Sequence, residues 1–415
     1  MYKIHTLSNG LTIIGEEIPY LKSITLGIWV NAGSRIEEEN NAGISHFIEH
    51  MLFKGTKNRT SKELASTIDN LGGQINAFTS KECTCFYVKL LDEHISIGVD
   101  VLSDMMLNSL FDSEEIDKER QVILEELKMY EDSPEDLSYD LLTENIYKTD
   151  GLGMNIIGTK ESLYNINREN ILEYFNKYYV ASNCVISMSG NFNFEEMIEL
   201  IEDKFNNLPQ GEVKVEVTKP EFHPCFIAKN KDTEQVNLAM SLKAIPLENR
   251  EDAYALSIVN NIFGGSISSK LFQKIREEKG LVYSIYSSQS LYRKCGEFGI
   301  YASMSNENLE EVYNSILEEI KDIKENYLTD KEIKETKDQL KGSFMLGLEG
   351  TSSRMMSIGK AMLLNKKVKT TEEILKAIDD VDKETINRVI DKIFNIDKLG
   401  LCIVGRDVEE IELIK

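Results

Sequence analysis

"INRENILEYFNKYYVASNCVISMSG" (166–190) lies without a gap on "VDKETINRVIDKIFNIDKLGLCIVG" (381–405). Each reads as a capped helix, a polar turn and a short apolar strand ending in a glycine, Gly190 or Gly405. The correspondence continues in the flanking sequence. "SITLGIWVNAG" (23–33) reads as a strand feeding the helix "AGISHFIEHMLFKG" (42–55), and "QVNLAMSLKAIP" (235–246) feeds "AYALSIVNNIFGG" (253–265). Phe53 and Gly55 then match Phe263 and Gly265. The same element order stated twice predicts two homologous domains. Each half mixes long periodic helices with alternating strands, so each is expected to be a layered α/β sandwich, and the fold class is α+β. Between the halves, "LPQGEVKVEVTKPEFHP" (208–224) carries three of the six prolines, a linker composition. The expected division is 1–208, a linker at 209–224, and 225–415.

The length of 415 residues is too great for one ordinary core. Apolar residues make up 41% and charged residues 28%, the balance of a soluble globular protein. No apolar run approaches the span of a bilayer, so no membrane association is expected. The start of the chain reads as a hairpin turning at Asn9-Gly10, with no export signal. A net charge of −23 argues against nucleic acid as a partner, because a phosphate backbone needs a basic surface. The six cysteines are scattered and expected to be reduced, which predicts a cytoplasmic protein.

"HFIEHMLFKGT" (46–56) holds two of the five histidines around a glutamate. On a helix, residues four apart lie one above the other, so His46 and His50 can reach one ion. Zinc suits imidazole nitrogen. Glu49, beside His50, is placed to take a proton from water activated by that metal. Phe47, Ile48, Met51 and Leu52 form an apolar stripe that would fix the helix to a core. A catalytic zinc needs a third protein ligand and an open position. The best source is "ERQVILEELKMYED" (119–132), where Glu119 and Glu126, two turns apart, share one face, and Val122, Ile123 and Leu127 are expected to anchor the helix. Alone, this second segment reads as an acidic, solvated helix.

HFIEH followed by ERQVILEE at this distance closely resembles the zinc peptidases of the pitrilysin, insulinase and mitochondrial processing peptidase type, whose motif is the inverted H-x-x-E-H. The resemblance implies that His46, His50 and Glu126 bind one Zn2+ per chain. It implies Glu49 as general base and Glu119 as a carboxylate that orients the site, with Glu125 pointing elsewhere. "LGGQINAFTSKECTCFYVKL" (71–90) is similar to the family's edge strand, where the backbone of Asn76, Ala77, Phe78 and Thr79 would add a peptide substrate as an extra strand. "FGGSISSKLFQKIREEKGLVYS" (263–284) resembles a segment whose Arg and Tyr, here Arg276 and Tyr283, grip a peptide carbonyl or the oxyanion. "GLEGTSSRM" (347–355) is a further echo, with no use evident from sequence. His46, Glu49 and His50 align with Leu256, Val259 and Asn260, so the second half is expected to lack a metal site. The resemblance therefore implies a two-domain metalloendopeptidase that closes as a clamshell dimer, a homodimer or a pair with a related chain. Short or unfolded peptides would be hydrolysed in an enclosed chamber. The alternative, a non-catalytic recognition or structural subunit, would show a broken H-x-x-E-H, and here every position is filled.

Overall fold

The computed structural model describes residues 2–408. They form two compact units, each built on one mixed sheet. The first unit carries β1 (Lys3–Thr6), β2 (Thr12–Glu17), β3 (Ser23–Val30), β4 (Gln74–Thr79), β5 (Thr84–Leu91) and β6 (Cys184–Gly190), in the order β1-β2-β6-β3-β5-β4. The second carries β7 (Cys225–Asn230), β8 (Val236–Lys243), β9 (Val282–Tyr292), β10 (Cys295–Met304) and β11 (Gly400–Gly405), in the order β7-β11-β8-β10-β9. Without β1 the two orders are the same, and so are the pairings. β2 and β6 run parallel, as do β7 and β11, and the remaining neighbours in both sheets are antiparallel. The stretches 166–190 and 381–405 fold alike. Helix Arg168–Tyr178 leads to β6, and helix Lys383–Ile393 leads to β11. The expected N-terminal hairpin is present, with Gly10 in its turn at φ 97°.

The compact units do not follow a single cut at 209–224. The first comprises Met1–Leu127, Met154–Glu216 and Met345–Thr370; the second takes Lys128–Gly153, Val217–Phe344 and the chain from Thr371 onward. Each unit includes one helix from the other half of the sequence. Pro134–Ile146 packs Leu142 and Ile146 against Ala239, Cys402 and Val404 of the second sheet. The chain turns into this helix at Ser133-Pro134, where proline suits a first helical position and Ser133 Oγ accepts the Asp136 N–H. Thr351–Asn365 covers the first sheet, which gives "GLEGTSSRM" its use as the entry to that helix.

This second covering helix explains why β3 is apolar almost without alternation. Ile24, Leu26, Ile28 and Val30 are buried on one face, while Thr25, Gly27 and Trp29 on the other meet Thr351, Met355 and Gly359. Gly359 is required there, because a Cβ would run into the Trp29 indole. Trp29 is 1% exposed and its Nε1–H donates to Ser187 Oγ at 2.8 Å. Truncating such a ring to alanine costs about 3–5 kcal/mol. All six cysteines are thiols outside any disulfide, and burial pushes the Cys184 thiol up to about 12. Among the described residues no helix is long and apolar enough to cross a membrane.

Candidate metal centre

The helix Ile44–Leu52 starts at Gly43, whose φ of 90° and close approach to the Ile157 carbonyl exclude a side chain. Its first N–H groups are met from a preceding loop. Glu37 accepts the Gly43 N–H at 2.6 Å and the Ser45 N–H at 2.8 Å. Phe47, Ile48, Met51 and Leu52 are at most 1% exposed, so the apolar stripe docks as its sequence predicts. The remaining face carries His46, Glu49 and His50. Opposite lies the helix Ser113–Asp132, which buries Ile116, Glu119, Arg120, Ile123, Leu124 and Leu127. Val122 was expected on that face but is 51% exposed. It stands about 100° around the helix from the buried Ile123, which turns it to solvent.

His46, His50 and Glu126 converge, with their ligand atoms within 4.8 Å of one another. The Glu126 Oε2 atom stands 3.7 Å from His46 Nε2 and 3.5 Å from His50 Nε2. Those separations are too long for hydrogen bonds, whereas two ligands of a tetrahedral zinc with bonds of about 2.0–2.1 Å stand about 3.3–3.4 Å apart. His50 Nδ1–H donates to Glu119 Oε1 at 2.8 Å, which fixes the tautomer that leaves Nε2 as a lone pair. Burial, with His50 close by, pushes His46 down to about 3 against the pull of Glu119, so its imidazole is neutral, the form that binds metal. His46 Nδ1 is buried without a hydrogen-bond partner. Two imidazole nitrogens and one carboxylate fit a zinc ion with an open position. Among the described residues, this is the one such convergence of three or more His, Cys, Asp or Glu side chains. Glu125 is exposed, whereas Glu126 is partly buried.

Two carboxylates flank the triad in contrasting settings. Burial would raise Glu119, which is 4% exposed, but hydrogen bonds from His50 and Lys54 and their charges outweigh it and hold its pKa low. Lys54 Nζ meets the second Glu119 oxygen at 2.5 Å. Glu49 goes the other way. Burial raises its pKa, with Glu126 adding to the effect, against a hydrogen bond from Thr79 and the nearby His50. Thr79 Oγ1 donates to Glu49 Oε2 at 2.5 Å. Thr79 closes β4, which among the described residues pairs only with β5 and so forms the edge of its sheet. Asn76, Ala77 and Phe78 lie on the same strand. The Ala77 N–H donates to Asn76 Oδ1 at 2.8 Å, and Phe78 packs edge-on to Trp29 at 5.6 Å between ring centroids.

Sequence reasoning missed Lys54, the Thr79 hydroxyl and Glu37. Lys54 is four residues past His50, a spacing that could have flagged it. Glu37, a loop acid with no periodic context, gave no signal. Arg276 and Tyr283 belong to the other unit, where they lie together. Arg276 Nε donates to the Tyr283 carbonyl at 3.1 Å, Nη1 meets Glu277 at 3.0 Å, and the guanidinium covers the Phe272 ring at 4.6 Å. Phe272–Glu278 winds as a π-helix, a form frequent at functional sites. Tyr283 is 75% exposed. The positions aligned with the triad are ordinary packing in this unit. Leu256 and Val259 are 0% exposed, and Asn260 accepts a hydrogen bond from Ser287.

Residues 12–160 match the model of the insulinase family of peptidases, and residues 165–340 match that of the inactive domain of the same peptidase family. The uncharacterized zinc protease YmxG of Bacillus subtilis is 41% identical over 96% of this chain and 97% of its own length. An uncharacterized zinc protease of Rickettsia felis is 36% identical over 95% of each. A crystal structure of a Helicobacter pylori protease shares the fold, with a TM-score of 0.91 at 22% identity over 97% of this chain and 99% of that one. A Pseudomonas fluorescens structure described as a peptidase M16 inactive domain gives 0.92 at 19% identity over the full length of both. The family and the relatives' names support a protease-like function, and the chain belongs to the insulinase family of peptidases, peptidase family M16.

Proposed function

We propose that the protein is a zinc metalloendopeptidase acting on short or unfolded peptides. The observation that carries this reading is the convergence of His46, His50 and Glu126 with Glu49 beside them on the same helix. A zinc ion held by that triad would polarise the scissile carbonyl and lower the pKa of water to about 7. Glu49 takes the proton of the attacking water and returns it to the leaving amine, and its raised pKa suits both transfers. Glu119 keeps His50 in the ligating tautomer. The β4 edge seats the substrate backbone along Asn76, Ala77, Phe78 and Thr79, the peptide taking over the Ala77 N–H from the Asn76 side chain. Arg276 and Tyr283 grip a peptide carbonyl, supplied by the second subunit of a dimer that closes around an internal chamber. The intact H-x-x-E-H argues against a purely structural subunit.

The test is digestion of a peptide library by purified protein, with zinc measured in the same sample. Cleavage should stop on chelation and return with added zinc. Cleavage indifferent to chelation, or none from fully zinc-loaded protein, would refute the reading.

A further inference from the structure

We infer that the Thr79 side chain is a positioning residue for the base. It anchors one oxygen of Glu49 so that the other is presented for proton transfer. The inference rests on the peptidase reading above but assigns the threonine hydroxyl a task separate from the strand's backbone. Thr79 Oγ1 donates to Glu49 Oε2 at 2.5 Å, a short, charge-assisted bond. Among the described residues Glu49 has no other hydrogen bond, so Oε1 stays uncommitted. A carboxylate on a free side chain can rotate its oxygens through the site, whereas one pinned at Oε2 holds Oε1 in a single direction.

The anchor is stiff. Thr79 is β-branched and sits opposite Thr84 at the closed end of the β4–β5 pair, so its backbone is held and its χ1 is restricted. The Thr84 hydroxyl donates to the Ala32 carbonyl at 2.9 Å and lies 3.5 Å from Thr79 Oγ1, whereas the Glu49 oxygen is 2.5 Å away, so the Thr79 proton goes to the carboxylate. β4 is also the strand proposed to seat the peptide. One residue therefore joins the substrate's seat to the base, and the distance between scissile carbonyl and carboxylate is set by the sheet, not by two independent loops.

Thr79→Val keeps the shape and removes the donor; Thr79→Ser keeps the donor. Steady-state kinetics on one peptide, zinc content, and the affinity of the metal-free protein for that peptide would be measured for both. Thr79→Val should lower kcat by roughly ten- to a hundredfold, the cost of a small misplacement of a reacting group. KM, zinc content and peptide affinity should stay within about twofold of wild type, and Thr79→Ser should recover most of kcat. Wild-type kcat in Thr79→Val would overturn the inference while leaving the peptidase reading intact. So would a loss of zinc or peptide affinity that accounts for the fall, or a serine variant as slow as the valine. A wild-type protein without peptidase activity would overturn the reading, and this inference with it.

Discussion

Lys54 Nζ and His50 Nδ1 share one carboxylate, that of Glu119, each on its own oxygen, at 2.5 and 2.8 Å. Glu119 is nearly buried, and its two donors keep it ionised and oriented. Lys54→Met removes one donor and leaves His50 with a less restrained partner. Zinc affinity, measured by chelator competition, should fall by about ten- to a hundredfold, with partial recovery in Lys54→Arg. Unchanged affinity in Lys54→Met would show that His50 alone holds Glu119.

Glu126, and not Glu125, is the proposed third ligand. The first stands 3.5 Å from His50 Nε2, while the second is exposed on another side of the same helix. Glu126→Gln should emerge from dialysis depleted of zinc, and Glu125→Gln should keep the wild-type content. The reverse pattern would contradict the assignment.

Arg276 and Tyr283 are proposed to act on the site of a partner subunit. Neither Glu49→Gln nor Tyr283→Phe should be active as a homodimer. Mixed under subunit exchange, they should regain activity, because one site of the mixed dimer combines the intact Glu49 with the intact Tyr283. Proven exchange with activity at the parental level would contradict action in trans.

Glu37 gives the fold a pH dependence of known sign. Burial pushes its pKa up to about 7 against the hydrogen bonds from Ser45 and Gly43. The folded state thus holds this proton more tightly than the unfolded chain. The stability it contributes is full below about pH 4.5 and is lost as pH rises through about 7. Glu37→Gln removes the titration. The thermal midpoint of the variant minus that of wild type should therefore rise between about pH 4.5 and about pH 8. A flat or falling difference would contradict the assignment.

The repeat was legible because its anchors are local. A capped helix ending four or more residues before an apolar strand can be read from 166–190 and 381–405 alone, and the sheet orders agree with it. His46, Glu49 and His50 were legible because helical spacing places them on one face. What sequence did not carry was long-range pairing. Nothing near Gly359 announces Trp29, 330 residues away in the chain, so the helices Pro134–Ile146 and Thr351–Asn365 could not be assigned to the units they cover. Thr79 and Glu49 likewise meet only because β4 folds back beside the Ile44–Leu52 helix, and a threonine at a strand end has no periodic signal. Val122 was misplaced because an apolar residue beside Ile123 reads as core unless the register of the buried face is already known.

The proposed role of Glu49 as the base is decided by Glu49→Gln, with zinc content and peptide hydrolysis determined on the same preparation. Glu49 is not a ligand in the triad, and glutamine cannot accept the proton. Zinc should stay at the wild-type level and kcat should fall by about a hundredfold or more. Hydrolysis at the wild-type rate, or loss of zinc along with activity, would contradict it.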